Sequence, residues 1–186
     1  MDQLSKIRIG FLISGYGSNL LKVLLNLQKD PDSNFIPSLI LSNKNIIKDI
    51  KKKSREIDKN IKIYENVTNL NIIDFTNSDL IFSIGYMKKI KKNIFNKNLT
   101  INLHPSILPN YKGLMTHKRM IINNEKYYGF TIHRVNESID DGEVLFQKAS
   151  KLKNLNEYDL NKAHKKLEHD NVYKALKKIC TILDKL

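Results

Sequence analysis

Three polar residues of this sequence are spaced so that they could share one reacting centre. Asn102 and His104 lie two positions apart at the end of a short apolar run, so in an extended segment both side chains project from the same face. Asp140 begins the sequence Asp140-Asp141-Gly142, farther along the chain. A nearby carboxylate would raise the pKa of His104 and let its imidazolium stabilise an oxyanion. Without that carboxylate, His104 is more simply interpreted as a buried or capping histidine.

A glycine-rich segment, Ser14 to Asn19, follows the first apolar run of the sequence. Glycines allow a tight turn there, and Ser18, Asn19 and the amides of a helix N-terminus are suited to bind an anion. The last glycine of a dinucleotide-binding fingerprint is absent, and no lysine of a nucleoside triphosphate loop follows. We therefore predict a monophosphate site, the alternative being a tight turn without a ligand.

The elements that must position these residues alternate between strand and helix patterns. The predicted strands are 7–13, 38–41, 62–64, 79–84, 100–103, 129–134 and 144–150. The predicted helices are 19–28, a segment ending near 56, 87–95, 116–123 and an amphipathic helix at about 157–186. This pattern predicts an α/β fold with a mainly parallel sheet, in one domain formed by residues 1–186. Ligands of such sheets bind beyond the carboxyl ends of the strands, where both candidate sites are expected.

The C-terminal helix has an apolar face, and a turn-rich piece precedes the helix at 116–123. The residues expected on that face are Leu160, Ala163, Leu167, Tyr173, Leu176 and either Ile179 or Cys180. In the turn-rich piece, we predict that the Leu108-Pro109 peptide bond is cis.

Composition sets broad limits on function. The 186 residues carry a formal net charge of +13, which suits phosphorylated metabolites, a folate tail or nucleic acid equally well. The single Cys180 cannot form an internal disulfide, and the spacing of a zinc site is absent. The sequence shows neither a basic leader nor an apolar stretch of membrane-spanning length. We therefore expect a cytoplasmic protein with no metal and no membrane association.

Seven short motifs occur in order between Ile7 and Tyr173. They are Leu12 to Leu20, Ser42-Asn43-Lys44, Gly85 to Lys88, Asn102 to Pro109 with Tyr111 and Gly113, Gly129 to His133, Asp140-Asp141-Gly142, and Glu168-His169 with Tyr173. Together they resemble the glycinamide ribonucleotide formyltransferase family, purine-biosynthetic enzymes that use 10-formyltetrahydrofolate. The resemblance implies a Rossmann-like, formyltransferase-type fold and a one-carbon group transferase.

The resemblance also implies roles for individual residues. Asn102 and His104 polarise the formyl oxygen, and Asp140 keeps His104 protonated and helps to move the amine proton through water. Two further sets bind ligands. The implied acceptor site holds the ribose phosphate at Gly17, Ser18 and Asn19 and the ribose at Glu168. The implied folate site consists of Met87, Lys88, Lys89, Ile90, Asn136, Glu137, Ser138, Ile139 and Asp140.

The sequence departs from the family pattern in several places. The segment between Ser54 and Asp79 is short, and the arginine that family members offer to the folate tail near there has no counterpart. Asp141 stands where a small residue is usual, which leaves two candidate carboxylates, of which the spacing to Gly142 favours Asp140. His117 also matches a family position, with two interpretations: an active-site wall, or a helix start with Thr116 as N-cap.

Alternative functions remain at this stage. Within the same fold, the candidates are a sugar-nucleotide N-formyltransferase, another formyltransferase-fold enzyme that uses a different amine, and a paralogue that has lost folate binding. A different class, an RNA-binding module, is suggested by the net charge but lacks a basic-aromatic motif, so a nucleic-acid partner is not expected. The expected partners are a small phosphorylated amine and folate, bound by a monomer or homodimer.

Overall fold

A computed structural model describes residues 6–153 and 156–184 of the chain. Its strands are β1 (Ile7–Ile13), β2 (Phe35–Ser42), β3 (Lys62–Tyr64), β4 (Leu80–Ser83), β5 (Thr100–His104), β6 (Tyr127–Arg134) and β7 (Val144–Lys151). Its helices are α1 (Ser18–Leu27), α2 (Lys48–Ile57), α3 (Lys92–Phe95), α4 (Thr116–Ile122) and α5 (Glu157–Leu183), with a short 3₁₀ helix at Leu70–Ile72. The predicted α/β fold is confirmed. The parts of the predicted domain and C-terminal helix at 1–5, 154–155 and 185–186 lie outside the described residues.

The strands form a seven-stranded sheet in the order β3-β2-β1-β4-β5-β6-β7. The five strands from β3 to β5 are parallel to their neighbours, and β6 and β7 continue the sheet antiparallel. Because β1, β4 and β5 are parallel, the loops that follow these strands lie at the same edge of the sheet. The strand order changes direction at β1, where ligands of such sheets bind. Among the described residues, no helix combines the length and the apolar character that crossing a membrane requires.

The central strands are buried on both faces, which explains their nearly continuous apolar sequences. Ile9, Phe11 and Ile13 of β1 pack in the larger core cluster with residues of α1 and α5. Leu12, which points the other way, packs in a second cluster with Ile90 and others. The two faces of one strand therefore fix α1 and α5 on one side of the sheet and the 3₁₀ and α3 segments on the other.

The predicted helix over residues 87–95 is largely wrong, since only Lys92–Phe95 is helical. Tyr86 and Ile90 instead pack into the second core cluster from an irregular segment. Lysines at 88, 89, 91 and 92 would lie close together on a helix, and their repulsion opposes helix formation over so short a stretch.

The buried face of α5 is less apolar than predicted. Leu160, Tyr173 and Leu176 are buried as expected, but His164 and Glu168 lie on the same buried face. The remaining expected residues are buried or pack against the core at its edge: Ala163, Leu167, Ile179 and Cys180. A helix that buries an imidazole and a carboxylate needs partners for them on neighbouring elements.

Candidate active site

The structure brings together the three polar residues predicted to share a centre. His104 Nδ1 lies 3.1 Å from Asp140 Oδ2, and the Asn102 amide nitrogen lies 3.4 Å from Asp140 Oδ1. His104 is nearly buried, with 4% of its surface exposed, and Asp140 is half-buried. Asn102 and His104 come from the end of β5, whereas Asp140 comes from the loop between β6 and β7. The cluster therefore depends on the pairing of β5 with β6.

The neighbouring strands fix the orientation of Asn102. Ser83, its partner residue on β4, donates a hydrogen bond from Oγ to Asn102 Oδ1 at 2.7 Å. This bond directs the Asn102 amide nitrogen toward Asp140 and toward His133 Nε2, which lies 3.3 Å away. Both of those contacts are long, so the amide hydrogens are available to a ligand oxygen.

His133 belongs to the cluster, although we did not assign it a site role from the sequence. It is paired with Asn102 across β5 and β6. Its Nδ1 donates to the carbonyl of Arg134 at 2.8 Å, and its Nε2 lies 3.4 Å from Asp140 Oδ1. The available signal was its place at the end of the Gly129 to His133 motif, in a predicted strand, but only the register with β5 shows which residue it faces.

Two loops hold the remaining partners of His104 and Asp140. The Gly113 amide donates to Asp140 Oδ2 at 2.9 Å, and His104 Nε2 donates to the carbonyl of Tyr111 at 2.9 Å. Because Nε2 is used in this way, Nδ1 contacts the Asp140 carboxylate favourably only when it also carries a proton. The predicted cis bond at Leu108-Pro109, in the same loop as Tyr111, is confirmed.

Burial and charge act in opposite directions on the pKa values of the pair. Burial lowers the pKa of His104, whereas Asp140 and the Tyr111 carbonyl raise it without fully offsetting burial. Asp140 therefore acts to raise the His104 pKa as predicted, but the net shift is downward because burial outweighs it. Burial also acts to raise the pKa of Asp140, but His133, the Gly113 amide and His104 together hold it below its ordinary value. Asp140 is thus ionised at neutral pH.

The second aspartate of the motif points away from the cluster. Asp141 is exposed and forms an ion pair with Lys112. The spacing argument in favour of Asp140 thus agrees with the geometry, because only Asp140 contacts His104 and His133.

The predicted phosphate loop lies at the same edge of the sheet. Gly17 has a left-handed backbone (φ 57°) and immediately precedes α1, which has no side-chain cap. The first intrahelical bond runs from the Leu21 amide to the Gly17 carbonyl, so the amides of residues 18–20 have no helical partner. The side-chain nitrogen of Asn19, Nδ2, donates to Glu168 Oε2 at 2.8 Å. Hence the residues predicted to bind the acceptor, including Ser18, lie close to one another.

Substituting Gly17 with alanine should destabilise the fold and distort this loop. A Cβ atom there would lie 2.7 Å from Ile13 Cδ1 and 2.8 Å from Ile50 Cδ1, in addition to the cost of its left-handed backbone. We expect Gly17→Ala to lower the free energy of unfolding by about 2–3 kcal/mol, measured by urea denaturation. Gly15→Ala is the matched control, because Gly15 also has a positive φ of 72° but an added Cβ meets no atom within 4 Å. Equal losses in the two variants would contradict the steric explanation.

An ion pair joins α3, which follows the first predicted folate segment, to the second segment. Lys92 forms an ion pair with Glu137, next to Asn136, whose side chain accepts from the Ser138 amide at 3.0 Å. The Met87 amide donates to Ser14 Oγ at 3.0 Å, which connects this region to the phosphate loop.

The side chains of the folate segments differ in exposure. Met87 and Ile139 are 70% and 60% exposed, so their apolar surfaces are accessible to a flat ligand. Lys88 and Lys89 are also exposed. Ile90, in contrast, is buried in the second core cluster, so its side chain does not face a ligand.

His117 does not have the capping environment considered for it. α4 begins at Thr116 and its N-cap is Met115, so Thr116 is not the N-cap. The imidazole of His117 instead faces α5, with Nε2 lying 2.5 Å from Nδ1 of His164.

This geometry can be compared with known proteins. The sequence profile of the formyl transferase family matches residues 7–176. The chain belongs to this family. The formyltransferase family predicted from the motifs is therefore confirmed.

Similar proteins carry this domain in different contexts. The chain is 31% identical over 164 residues to the trifunctional purine biosynthetic protein adenosine-3 of Gallus gallus, covering 81% of this chain and 16% of that protein. It is 36% identical over 135 residues to methionyl-tRNA formyltransferase of Borreliella afzelii, covering 68% of this chain and 42% of that protein. It is 31% identical over 151 residues to phosphoribosylglycinamide formyltransferase of Haemophilus influenzae, covering 75% of this chain and 71% of that protein. The chain thus spans less than half the length of the first two relatives.

Solved structures share the fold over nearly the whole chain. Phosphoribosylglycinamide formyltransferase from Brucella melitensis has a TM-score of 0.78 at 25% identity, covering 95% of this chain and 96% of that one.

Proposed function

We propose that this chain transfers the formyl group of 10-formyltetrahydrofolate to the amine of glycinamide ribonucleotide. One observation supports this choice of acceptor: the anion site after β1 and the polar cluster after β5 lie at the same edge of the sheet. Because β4 pairs with both β1 and β5, these sites are two strand spacings, about 10 Å, apart. A ribose phosphate with an amine at its far end has the shape and charge to occupy both.

The acceptor is held at its phosphate and its ribose in this proposal. The free amides of residues 18–20 and the positive end of the α1 dipole bind the phosphate. Glu168 accepts a hydrogen bond from a ribose hydroxyl. The Asn19 side chain fixes it, because its Nδ2 donates to Glu168 Oε2 at 2.8 Å. These contacts leave the amine directed toward the cluster at the end of β5.

Formyl transfer then proceeds by direct attack. The amine nitrogen attacks the formyl carbon, a new C–N bond forms, and the C–N bond to the folate breaks after a tetrahedral intermediate. Asn102 donates to the oxyanion, and the imidazolium of His104 stabilises it electrostatically. Asp140, which contacts both side chains, favours the protonated imidazole and receives the amine proton through water. The proton then passes to the departing folate nitrogen.

In this proposal the folate lies on the side of the Asn102, His104 and Asp140 cluster that faces away from the acceptor. The exposed Met87 and Ile139 side chains contact the flat pterin, and Asp140 lies next to Ile139 at its formyl end. The ion pair between Lys92 and Glu137 links the second segment to α3, the helix that follows the first. This arrangement leaves the formyl carbon between the folate and the amine.

The assay uses the purified chain with 10-formyltetrahydrofolate and glycinamide ribonucleotide, with the formylated product measured by mass spectrometry. We expect turnover with the wild-type chain and roughly a hundredfold lower kcat for Asn102→Ala, since one oxyanion donor is removed. Asn161→Ala, at an exposed position of α5, serves as the control and should keep full activity. Circular dichroism verifies that both variants are folded.

Other outcomes identify the alternatives. Faster formylation of methionyl-tRNA or of an amino-sugar nucleotide in the same assay would show that the acceptor is wrong while the family chemistry holds. Absence of binding in a titration with a non-reactive folate analogue would indicate a paralogue that has lost folate binding. Retained turnover in Asn102→Ala would contradict the mechanism.

A further inference from the structure

A buried polar chain crosses from α4 to the N-terminus of α1. Its central residue, His164, lies on the buried face of α5 and is 1% exposed. Its Nδ1 lies 2.5 Å from His117 Nε2, and its Nε2 lies 3.7 Å from Glu168 Oε1, one helical turn away. Glu168 Oε2 accepts from the Asn19 amide. The side chains of His117, His164, Glu168 and Asn19 thus lie in a row that ends at the phosphate loop.

The hydrogen positions in this path follow from the contacts. His164 is neutral, because burial lowers its pKa to about 3, assisted by the charges of His117 and His104. A neutral imidazole has one donor and one acceptor. Burial also lowers the pKa of His117, so one of the two nitrogens that face each other carries the hydrogen.

Only one assignment lets His164 donate to Glu168. If His117 Nε2 donates to His164 Nδ1, then the hydrogen of His164 lies on Nε2, which faces Glu168. This nitrogen is buried and has no hydrogen-bond partner within residues 6–153 and 156–184. The reverse assignment would place a bare nitrogen beside the carboxylate oxygen. The first assignment is therefore favoured.

A donor from His164 would favour the charged form of Glu168. Burial raises the pKa of Glu168 to about 7, although the Asn19 amide and Lys165 lower it. Two groups of β6 also face His164: the Gly129 carbonyl, which acts to raise the His164 pKa, and the Tyr128 ring, which lies edge-on with ring centroids 5.7 Å apart. Because Nε2 has no hydrogen-bond partner among the described residues, it remains free to donate to Glu168.

We infer that His164 is a positioning residue, which orients the Glu168 carboxylate through a hydrogen bond from Nε2 when the acceptor binds. The contact of 3.7 Å is too long for a hydrogen bond in the free protein, so the inference requires it to shorten when Glu168 is ionised. This inference rests on the proposed function, since it assigns Glu168 to the acceptor.

The first test needs no activity. In long-range ¹H–¹⁵N spectra of the whole chain, His164 and His117 should both be Nε2–H tautomers, and a carboxyl ¹³C titration should follow Glu168. His164→Leu and His164→Asn should raise the Glu168 midpoint by about one pH unit, because the donor to the charged form is lost. His164→Gln, whose amide reaches the Nε2 position, should leave the midpoint within a few tenths of a unit. An Nδ1–H tautomer at His164, or equal midpoints in all variants, would overturn the inference.

The second test uses kinetics with glycinamide ribonucleotide. At pH 7 the KM of His164→Leu should be about fivefold higher, because a midpoint shifted by one unit lowers the ionised fraction of Glu168 by that factor. At pH 9 the KM should match that of the wild-type chain, and kcat should change less than twofold at both pH values. A KM defect that persists at pH 9 would indicate a purely structural role. If the wild-type chain does not formylate this acceptor, the proposed function fails while the titration still decides the role of His164.

Discussion

Asp140→Asn should reduce the kcat of formyl transfer roughly a thousandfold while leaving the fold intact, because it removes the negative charge of the carboxylate that faces both His104 and His133. One oxygen of Asp140 faces His104 and accepts from the Gly113 amide, and the other faces Asn102 and His133. An asparagine has only one acceptor oxygen. If that oxygen stays toward His104, the new amide donates toward the amide nitrogen of Asn102, which is also a donor.

The charge matters in addition to the geometry. Asp140 partly offsets the effect of burial, which lowers the pKa of His104. Without the carboxylate the pKa of His104 would be lower still, so the residual activity of Asp140→Asn should fall as the pH rises through a range below the ordinary histidine pKa. A pH–rate profile from pH 5 to 9 measures this.

Asp141→Asn is the matched control for Asp140→Asn. Asp141 is the adjacent residue, is exposed, and contacts Lys112 rather than the cluster. A surface ion pair of this kind contributes less than about 1 kcal/mol, so we expect near-normal turnover. If Asp141→Asn instead loses more activity than Asp140→Asn, the catalytic carboxylate has been wrongly assigned.

Gly142→Ala should have the largest effect on stability. An added Cβ would lie 1.8 Å from the carbonyl oxygen of Arg134 and 2.7 Å from its carbonyl carbon, and neither backbone atom can rotate away. The loop must therefore shift, and Asp140, two residues earlier, must shift with it. We expect a loss of about 3 kcal/mol in the free energy of unfolding, measured by urea denaturation. Turnover should fall about a hundredfold, since small displacements of a catalytic group have effects of this size.

Asp141→Ala separates this steric effect from a general sensitivity of the loop. It removes an exposed side chain one position earlier and adds no atom near the backbone of Arg134. We expect it to change stability by less than about 0.5 kcal/mol. Wild-type stability in Gly142→Ala would show that the loop can move without cost and that the glycine is not required for packing.

The fold was largely predictable because its signals are local. The strand at Ile7–Ile13 and the strand at Lys62–Tyr64 have the predicted bounds, since apolar runs ended by turns mark them directly. The segment at residues 87–91 was wrongly predicted as helical because its spacing alone does not reveal that Ile90 is needed in the core. Lysine repulsion and tertiary packing decided its conformation.

The sequence by itself determined which chemical groups this protein has and at which strand ends they lie. Asn102, His104 and the glycine-rich loop before α1 could be placed because a strand, a turn and a helix are each encoded within a few neighbouring residues. The tertiary structure alone decided which distant groups meet: His133 opposite Asn102, 31 residues away, and His117 against His164, 47 residues away. It also decided the sign of the pKa shift of His104, because both the burial of the imidazole and the proximity of Asp140 depend on how distant elements pack around the site.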